Sequence, residues 1–409
     1  MKRVVITGVG VVSPLGSTKE QFWQGIINGQ SSVEQLTKLD ANAYPSPLAS
    51  EVKDFHTLPE ADNSELTDLG QAVGYSVAAT RMALEDASLD LVEQTENDFS
   101  VLIGTTMGNQ DIVERVIDKH QLTEDSPASD IIGNDLNAFS PSDLSAQVAR
   151  QFGFQGRSLT IANACAAGNY SVGLSYDLIR SGRSKVILAG GADPFSRTCY
   201  TIFHRLSASS HGPVRPFDAN RDGIVVGEGA AMLVLEEYEH AKARGARIYG
   251  EVTGYSLTCD AYHATAPHPD GVGAVNAMNQ ALSMAKITPE DVSYVSAHGT
   301  GTAANDQSET VALHKVFGDN LSQVPMSSIK SMIGHCMGAA SAFEAVASAL
   351  SLHHQILAPT MNTETVDPKF PTKLDIIPGK ARKTKVNHIM SNAFAFGGNV
   401  SSVIFSKLK

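Results

Sequence analysis

Short, continuous apolar runs punctuate the chain. RVVITGVGVV, SVLIGT, SKVILAGG, AAMLVLEEY, RIYGEVTGY and SYVSAHG each have the length of one strand. Runs of this kind predict strands buried on both faces. Longer stretches with helical spacing of apolar positions lie between them: LTDLGQAVGYSVAATRMALEDA, AVNAMNQALSMAKI and SAFEAVASALSLHH. Strands alternating with helices predict an α/β fold with at least one largely parallel sheet covered on both sides.

The pattern hints at an internal repeat. Each half opens with a strand that ends in glycine, RVVITGVG and RIYGEVTGY. Each later carries a loop of small residues that feeds a helix, NACAAGNYSVGLSYDLI and KSMIGHCMGAASAFEAVASAL. A two-fold repeat would put Cys165 and His335 at equivalent places, each where a loop becomes a helix. The segment SSHGPVRPFDANRDGIVVGEG joins the halves. Strand-like sequence follows it at once, so it reads as an ordered connection.

Composition narrows the classes. The 409 residues carry a net charge of −12, which excludes bulk affinity for nucleic acid or an anionic membrane surface. Four cysteines, Cys165, Cys199, Cys259 and Cys336, are far apart with no CxxC pair. That favours a reducing compartment and argues against structural zinc. His263 and His268 have no partner at metal spacing and read as loop residues. The opening MKRVVITGVGVVSPLGS is broken by glycines, so a first buried strand fits better than a signal peptide. No apolar run is long enough to span a bilayer, and a cytoplasmic protein is expected. GVGVVSPLG misses the G-x-G-x-x-G spacing of a dinucleotide site.

Candidate chemistry lies in four places. Cys165 sits among alanines and glycine ahead of a helix whose free N–H groups and dipole would stabilise a thiolate. The competing reading is a small buried hydrophobe. His298 ends an apolar strand and precedes a Gly/Thr loop, where parallel sheets bind ligands. Asp306 and Glu309 have the D-x-x-E spacing of a helix cap, and Thr300 and Thr302 satisfy loop backbone on the bland reading. Lys330 and His335 lie in a small-residue loop before an Ala-rich helix. The dipole there would hold the imidazole neutral, able to donate an N–H to an oxyanion. Finally, Gly397 and Gly398 form either a tight turn between strands or a loop that frees a backbone N–H to face a substrate.

One thiol, two histidines, one lysine and a Gly-rich loop suit acyl transfer through a thioester followed by carbanion chemistry. In this order RPFDANRDGIVVGEGAAMLVLEEYEHAKARGARIYGEV, AHGTGT, KSMIGHCMGAA and NAFAFGGN resemble the β-ketoacyl-acyl-carrier-protein synthases of the elongating class I/II type. These belong to the thiolase superfamily, and the resemblance covers essentially the whole chain.

The resemblance implies two similar βαβαβαββ halves, residues 1–247 and 248–409, in five layers α-β-α-β-α. It implies a homodimer, with a heterodimer beside a related synthase subunit as the alternative. Cys165 would take an acyl chain from acyl-carrier protein. His298 and His335 would assist decarboxylation of malonyl-carrier protein. The Cys165 and Phe396 N–H groups would form the oxyanion hole. Lys330 would pair with an acid matching Glu309, with Asp306 beside it. Thr300 and Thr302 would hold the phosphopantetheine arm, which arrives on the carrier, so no cofactor or metal is expected. Phe396 would be the gate beside Gly397 and Gly398, Met107 would line the acyl pocket, and Arg205 would contact the carrier.

The implied reaction is decarboxylative Claisen condensation, giving a β-ketoacyl-acyl-carrier protein. Some positions depart from the family pattern. Asn163 stands where threonine is common, and Ala395 where many members have glycine. NSELTDLGQAVGY (63–75) is acidic to neutral where primary-metabolism members carry bases, and GNDLNAFSPSDL (133–144) lacks a usual basic pair. With the AHGTGT wording, these lean toward a specialised ketosynthase of polyketide, polyene or secondary lipid assembly. A non-catalytic chain-length subunit would lose Cys165, and a degradative thiolase would want a second cysteine near the C-terminus.

Overall fold

The computed structural model describes residues 1–63, 66, 68–89, 99–120 and 140–408. Ten strands form its main sheet. The first five are β1 (Val4–Val12), β2 (Phe99–Gly104), β3 (Ser158–Ile161), β4 (Val186–Asp193) and β5 (Gly229–Glu237). The other five are β6 (Gly250–Cys259), β7 (Tyr294–Ser296), β8 (Met326–Ser327), β9 (His388–Phe394) and β10 (Asn399–Ser406).

Their spatial order is β3-β2-β4-β5-β1-β6-β10-β9-β7-β8. Counted within its own half, each set of five therefore runs third, second, fourth, fifth, first. The halves meet where Val4–Ile6 of β1 pairs antiparallel with Gly250–Val252 of β6. The repeat hinted at in the sequence is thus present in topology. The sheet is mixed rather than largely parallel: among the described residues, five of its nine pairings are antiparallel. In each half the fifth strand runs antiparallel to both of its neighbours.

Of the helices among the described residues, seven concern the layers and the site: α1 (Gln71–Asp86), α2 (Asp143–Phe152), α3 (Ala167–Arg180), α4 (Arg197–Arg205), α5 (Val272–Ala285), α6 (Ala303–Phe317) and α7 (Ala340–His354). Helices α1 and α2 cover the outer face of the first five strands, and α5, backed by α6, covers the outer face of the second. Helices α3 and α7 pack on each other between the two sets of strands. The result is the α-β-α-β-α order expected.

Small residues set the spacing of these layers. A Cβ at Gly10 of β1 would lie 1.9 Å from the Ala79 carbonyl oxygen of α1. The glycines that interrupt the first apolar run are therefore sites of helix-on-strand contact. Between α3 and α7, a Cβ at Gly168 would lie 2.5 Å from the Ala342 nitrogen. Only a small-residue seam lets two helices share one thin layer.

Both central helices start in the same way. A non-glycine residue with left-handed φ, Ala164 (+46°) or Met337 (+47°), opens a 3-10 turn that runs into the helix. The turns are Ala164–Ala166 and Met337–Ala339. This alignment makes Gly338, not His335, the counterpart of Cys165. His335 lies before the turn, in the loop that the repeat does not match.

Candidate active site

Cys165 occupies the turn that starts α3 and is 6% exposed. Burial pushes its thiol up to about 12, with the Lys330 charge pulling the other way. The dipole of α3, worth about 0.3–2 kcal/mol, does not offset that desolvation. The resting group is thus a thiol, not the thiolate expected from the helix alone.

His298 follows β7, and His335 precedes the turn that starts α7. Their rings meet edge to face with centroids 5.6 Å apart. Burial is the first cause that holds both well below the ordinary histidine range, and the Lys330 charge adds to it. Burial, rather than a helix dipole, keeps these imidazoles neutral. The backbone N–H of Met337 donates to His335 Nδ1 at 3.1 Å. The Lys330 ammonium lies 3.3 Å from His298 Nδ1. A neutral imidazole has one N–H, so a filled Nδ1 puts the proton on Nε2 in both rings.

Lys330 does not pair with Glu309. Its ammonium donates to Glu344 of α7 and to the His298 carbonyl oxygen at 2.7 Å. Glu309 instead accepts the N–H groups of His298 and Gly299, both at 2.8 Å. Asp306 accepts those of Phe217 (2.7 Å) and Gly301 (3.2 Å), with Arg221 3.7 Å away. Nor do these acids cap a helix. Thr302 is the N-cap of α6, its hydroxyl accepting from the Asn305 N–H. Asp306 and Glu309 sit inside α6 and reach back to hold the loop that carries His298. Burial pushes Glu309 up to about 8.

The segment between the halves braces both histidine loops. Gly223 donates to the Gly301 carbonyl (3.0 Å), His335 to that of Val225 (2.7 Å), and Gly227 to that of His335 (2.9 Å). Its order is therefore part of the site.

A cavity of about 220 Å³ collects Cys165, His298, His335, Thr300, Thr302 and Phe396 on its walls. Phe396 packs on Phe203 of α4 with centroids 5.6 Å apart. Gly397 and Gly398 form the turn between β9 and β10, both at φ +76°, and lie behind the wall. The Gly397 N–H is taken by the Ala264 carbonyl at 2.7 Å, so it does not face a substrate. Among the described residues, the N–H groups of Cys165 and Phe396 have no carbonyl partner. Met107 packs in the apolar cluster that also holds Phe203 and Phe396, and is not on the wall of this cavity. Arg205 is exposed on the last turn of α4, next to wall residue Leu206. Of the loop after β6, Thr265 and Pro267 rather than His263 and His268 reach the wall.

Residues 1–241 match the beta-ketoacyl synthase N-terminal domain family, and residues 249–364 match its C-terminal domain family. The chain is a β-ketoacyl synthase. A 3-oxoacyl-[acyl-carrier-protein] synthase 2 of Synechocystis sp. is 37% identical, covering 99% of this synthase and 98% of its own length. Among solved structures, the ishigamide ketosynthase/chain length factor superposes with a TM-score of 0.93 at 38% identity, covering 100% of both chains. A type II polyketide ketosynthase complexed with its acyl-carrier protein, AntDE:AntF, gives 0.92 at 32% identity, again covering 100% of both chains.

Sequence reasoning missed Glu344 and Phe203 in this synthase. Glu344 had a signal: it is a single acid in the apolar helix ASAFEAVASALSLHH, where a buried charge needs a partner. Of the two segments compared with carrier-docking regions, residues 64, 65, 67 and 133–139 lie outside the described residues. Among the described residues no helix is long and apolar enough to cross a membrane.

Proposed function

We propose that this synthase condenses a malonyl thioester with an acyl chain held on Cys165, both delivered by acyl-carrier protein. One observation carries the reading. A buried thiol and two neutral imidazoles, each with its proton on Nε2, open into one cavity.

The steps follow from these groups. Cys165 Sγ attacks the acyl thioester carbonyl, and the pantetheine thiol leaves with the proton the cysteine gives up. The malonyl thioester oxygen then accepts from Nε2–H of His298 and His335. The bond to the carboxylate breaks, carbon dioxide leaves, and its electron pair becomes an enolate held by those two donors. The enolate carbon attacks the acyl-Cys165 carbonyl. The Cys165 and Phe396 N–H groups stabilise the tetrahedral oxyanion, which collapses and expels the Cys165 thiolate. The Cys165 thiolate takes up a proton from solvent, and the β-ketoacyl thioester departs on the carrier. Thr300 and Thr302 flank the pantetheine path, and Arg205 meets the carrier at its rim. Loss of carbon dioxide drives the sequence, so no cofactor or metal is needed. The reading places the reaction in the cytoplasm.

A specialised pathway is the second reading. The ishigamide and AntDE:AntF structures at 38% and 32% identity support it, as does the acidic to neutral stretch at 63–75. On that reading the synthase works as a homodimer or beside a chain-length subunit. The test offers malonyl-carrier protein and a ladder of acyl-carrier substrates, then reads product masses. Chain extension by two carbons with release of carbon dioxide is expected. No extension with any acyl length would overturn condensation. Rapid extension with an ordinary fatty-acid carrier protein would overturn the specialised reading.

A further inference from the structure

Asp193 ends β4 with its carboxylate fully buried, and the steps above leave it unused. Its Oδ1 accepts from the Thr105 hydroxyl (2.8 Å) and the Met107 N–H (2.6 Å). The Thr106 N–H lies 3.0 Å from both oxygens, and Oδ2 accepts from the Gly338 N–H at 2.6 Å. Burial pushes the carboxyl up to about 6, so at neutral pH it is ionised and accepts on both oxygens. A charge buried at such cost is stable only where donors surround it. Here the donors belong to the loop after β2 and to the turn that follows His335.

The repeat shows what Gly338 is. It is the counterpart of Cys165, preceded by a left-handed Met337 as Cys165 is by a left-handed Ala164. In the first half the amide of this turn, that of Cys165, has no carbonyl partner and its residue lines the cavity. In the second half the same amide is filled by the protein's own carboxylate. No side chain fits there either. A Cβ at Gly338 would lie 2.6 Å from Thr106 N and 2.8 Å from Asp193 Oδ2.

The neighbouring amide matters for catalysis. Met337 N–H donates to His335 Nδ1, and the next N–H along the chain, that of Gly338, donates to Asp193. The φ of +47° that relates these two peptide planes is costly for methionine and persists only when both ends are held. We propose that Asp193 is a positioning residue. By holding Gly338 it keeps the Met337 N–H on His335 Nδ1, so that His335 presents its Nε2 proton to the enolate oxygen. Through Thr105, Thr106 and Met107 the same carboxylate ties the cluster behind the gate to this turn. The proposal rests on the condensation reading above.

The test compares wild type with Asp193→Asn, using protein labelled with 15N at histidine and the His335 signal assigned through its loss in His335→Gln. Wild-type His335 is expected to be protonated on Nε2, and Asp193→Asn to shift it toward Nδ1. Decarboxylation of a malonyl thioester should fall about tenfold or more, since a donor to the oxyanion is lost. Acylation of Cys165 by an acyl-pantetheine thioester should change little. A wild-type His335 protonated on Nδ1 would overturn the proposal without any variant. So would an unchanged tautomer in Asp193→Asn, or equal loss of both half-reactions. If wild type decarboxylates and Asp193→Asn does so equally well, the role of Asp193 alone fails. If wild type does not decarboxylate at all, the condensation reading fails and takes the proposal with it.

Discussion

Lys330 and Glu344 face each other across the floor of the site, each side chain 1% exposed, fourteen residues apart in sequence. The same ammonium holds the His298 carbonyl and lies beside its ring. One buried cation thus fixes the ring, and its carboxylate partner comes from the central helix α7. Burial pushes Glu344 up to about 7 against the pull of the lysine.

Removing Glu344 should be costly. Glu344→Ala leaves a buried ammonium without its counter-charge, and a loss of about 3–5 kcal/mol is expected. Denaturant unfolding measures it. A paired Lys330→Met/Glu344→Leu change should lose less stability than Glu344→Ala alone, because no orphan charge remains. A double variant less stable than the single one would contradict an ion pair at this place.

Cys165→Ala should abolish the acyl-enzyme seen by intact-protein mass after incubation with an acyl thioester. Decarboxylation of a malonyl thioester should persist, since both imidazoles stay in place. An acyl adduct of wild-type extent on Cys165→Ala would show that another group is the nucleophile.

The histidines should show the opposite split. His298→Ala and His335→Ala each remove one N–H from the enolate oxygen, and a fall of about 100- to 1,000-fold in decarboxylation is expected. Acylation of Cys165 should be far less affected. The two half-reactions are measured separately, by carbon dioxide release and by adduct mass.

Protonation follows from burial. An exposed histidine titrates near 6.5, whereas both imidazoles here are held well below that. Between pH 8 and 6 they should therefore stay neutral, and decarboxylation should show no acid limb with a midpoint near 6.5. Histidine 15N spectra across the same range check the point directly. A midpoint at 6.5 for either ring would contradict its burial beside Lys330.

Strands and central helices were legible because burial on both faces leaves uninterrupted apolar runs. β3, SLTI, escaped because it is a short edge strand with Ser158 and Leu159 exposed. Strand direction was not legible, since an apolar run reads the same in either direction. At the site, Cys165, His298, His335 and Lys330 stood out as reactive side chains in small-residue loops. The partner of Lys330 did not: the family pattern was matched to Glu309, whereas the ammonium is met by Glu344, which the packing of α7 brings in. The thiol's protonation was also misread: sequence places the helix dipole but not the depth of burial that outweighs it.

The back-to-back helices α3 and α7 make the two halves dependent on each other. Gly168 has Ala342 against it, and Gly173 has the Tyr255 ring at 2.4 Å from a notional Cβ. Each half's central helix therefore finishes its burial on the other half's residues. A chain nicked between residues 247 and 248 should stay together as one particle. The two pieces made separately would each present a bare helix and half a core, and would recover by complementation rather than alone. What looks like a duplicated unit is a single cooperative fold, with Cys165 carried by one half and both imidazoles by the other.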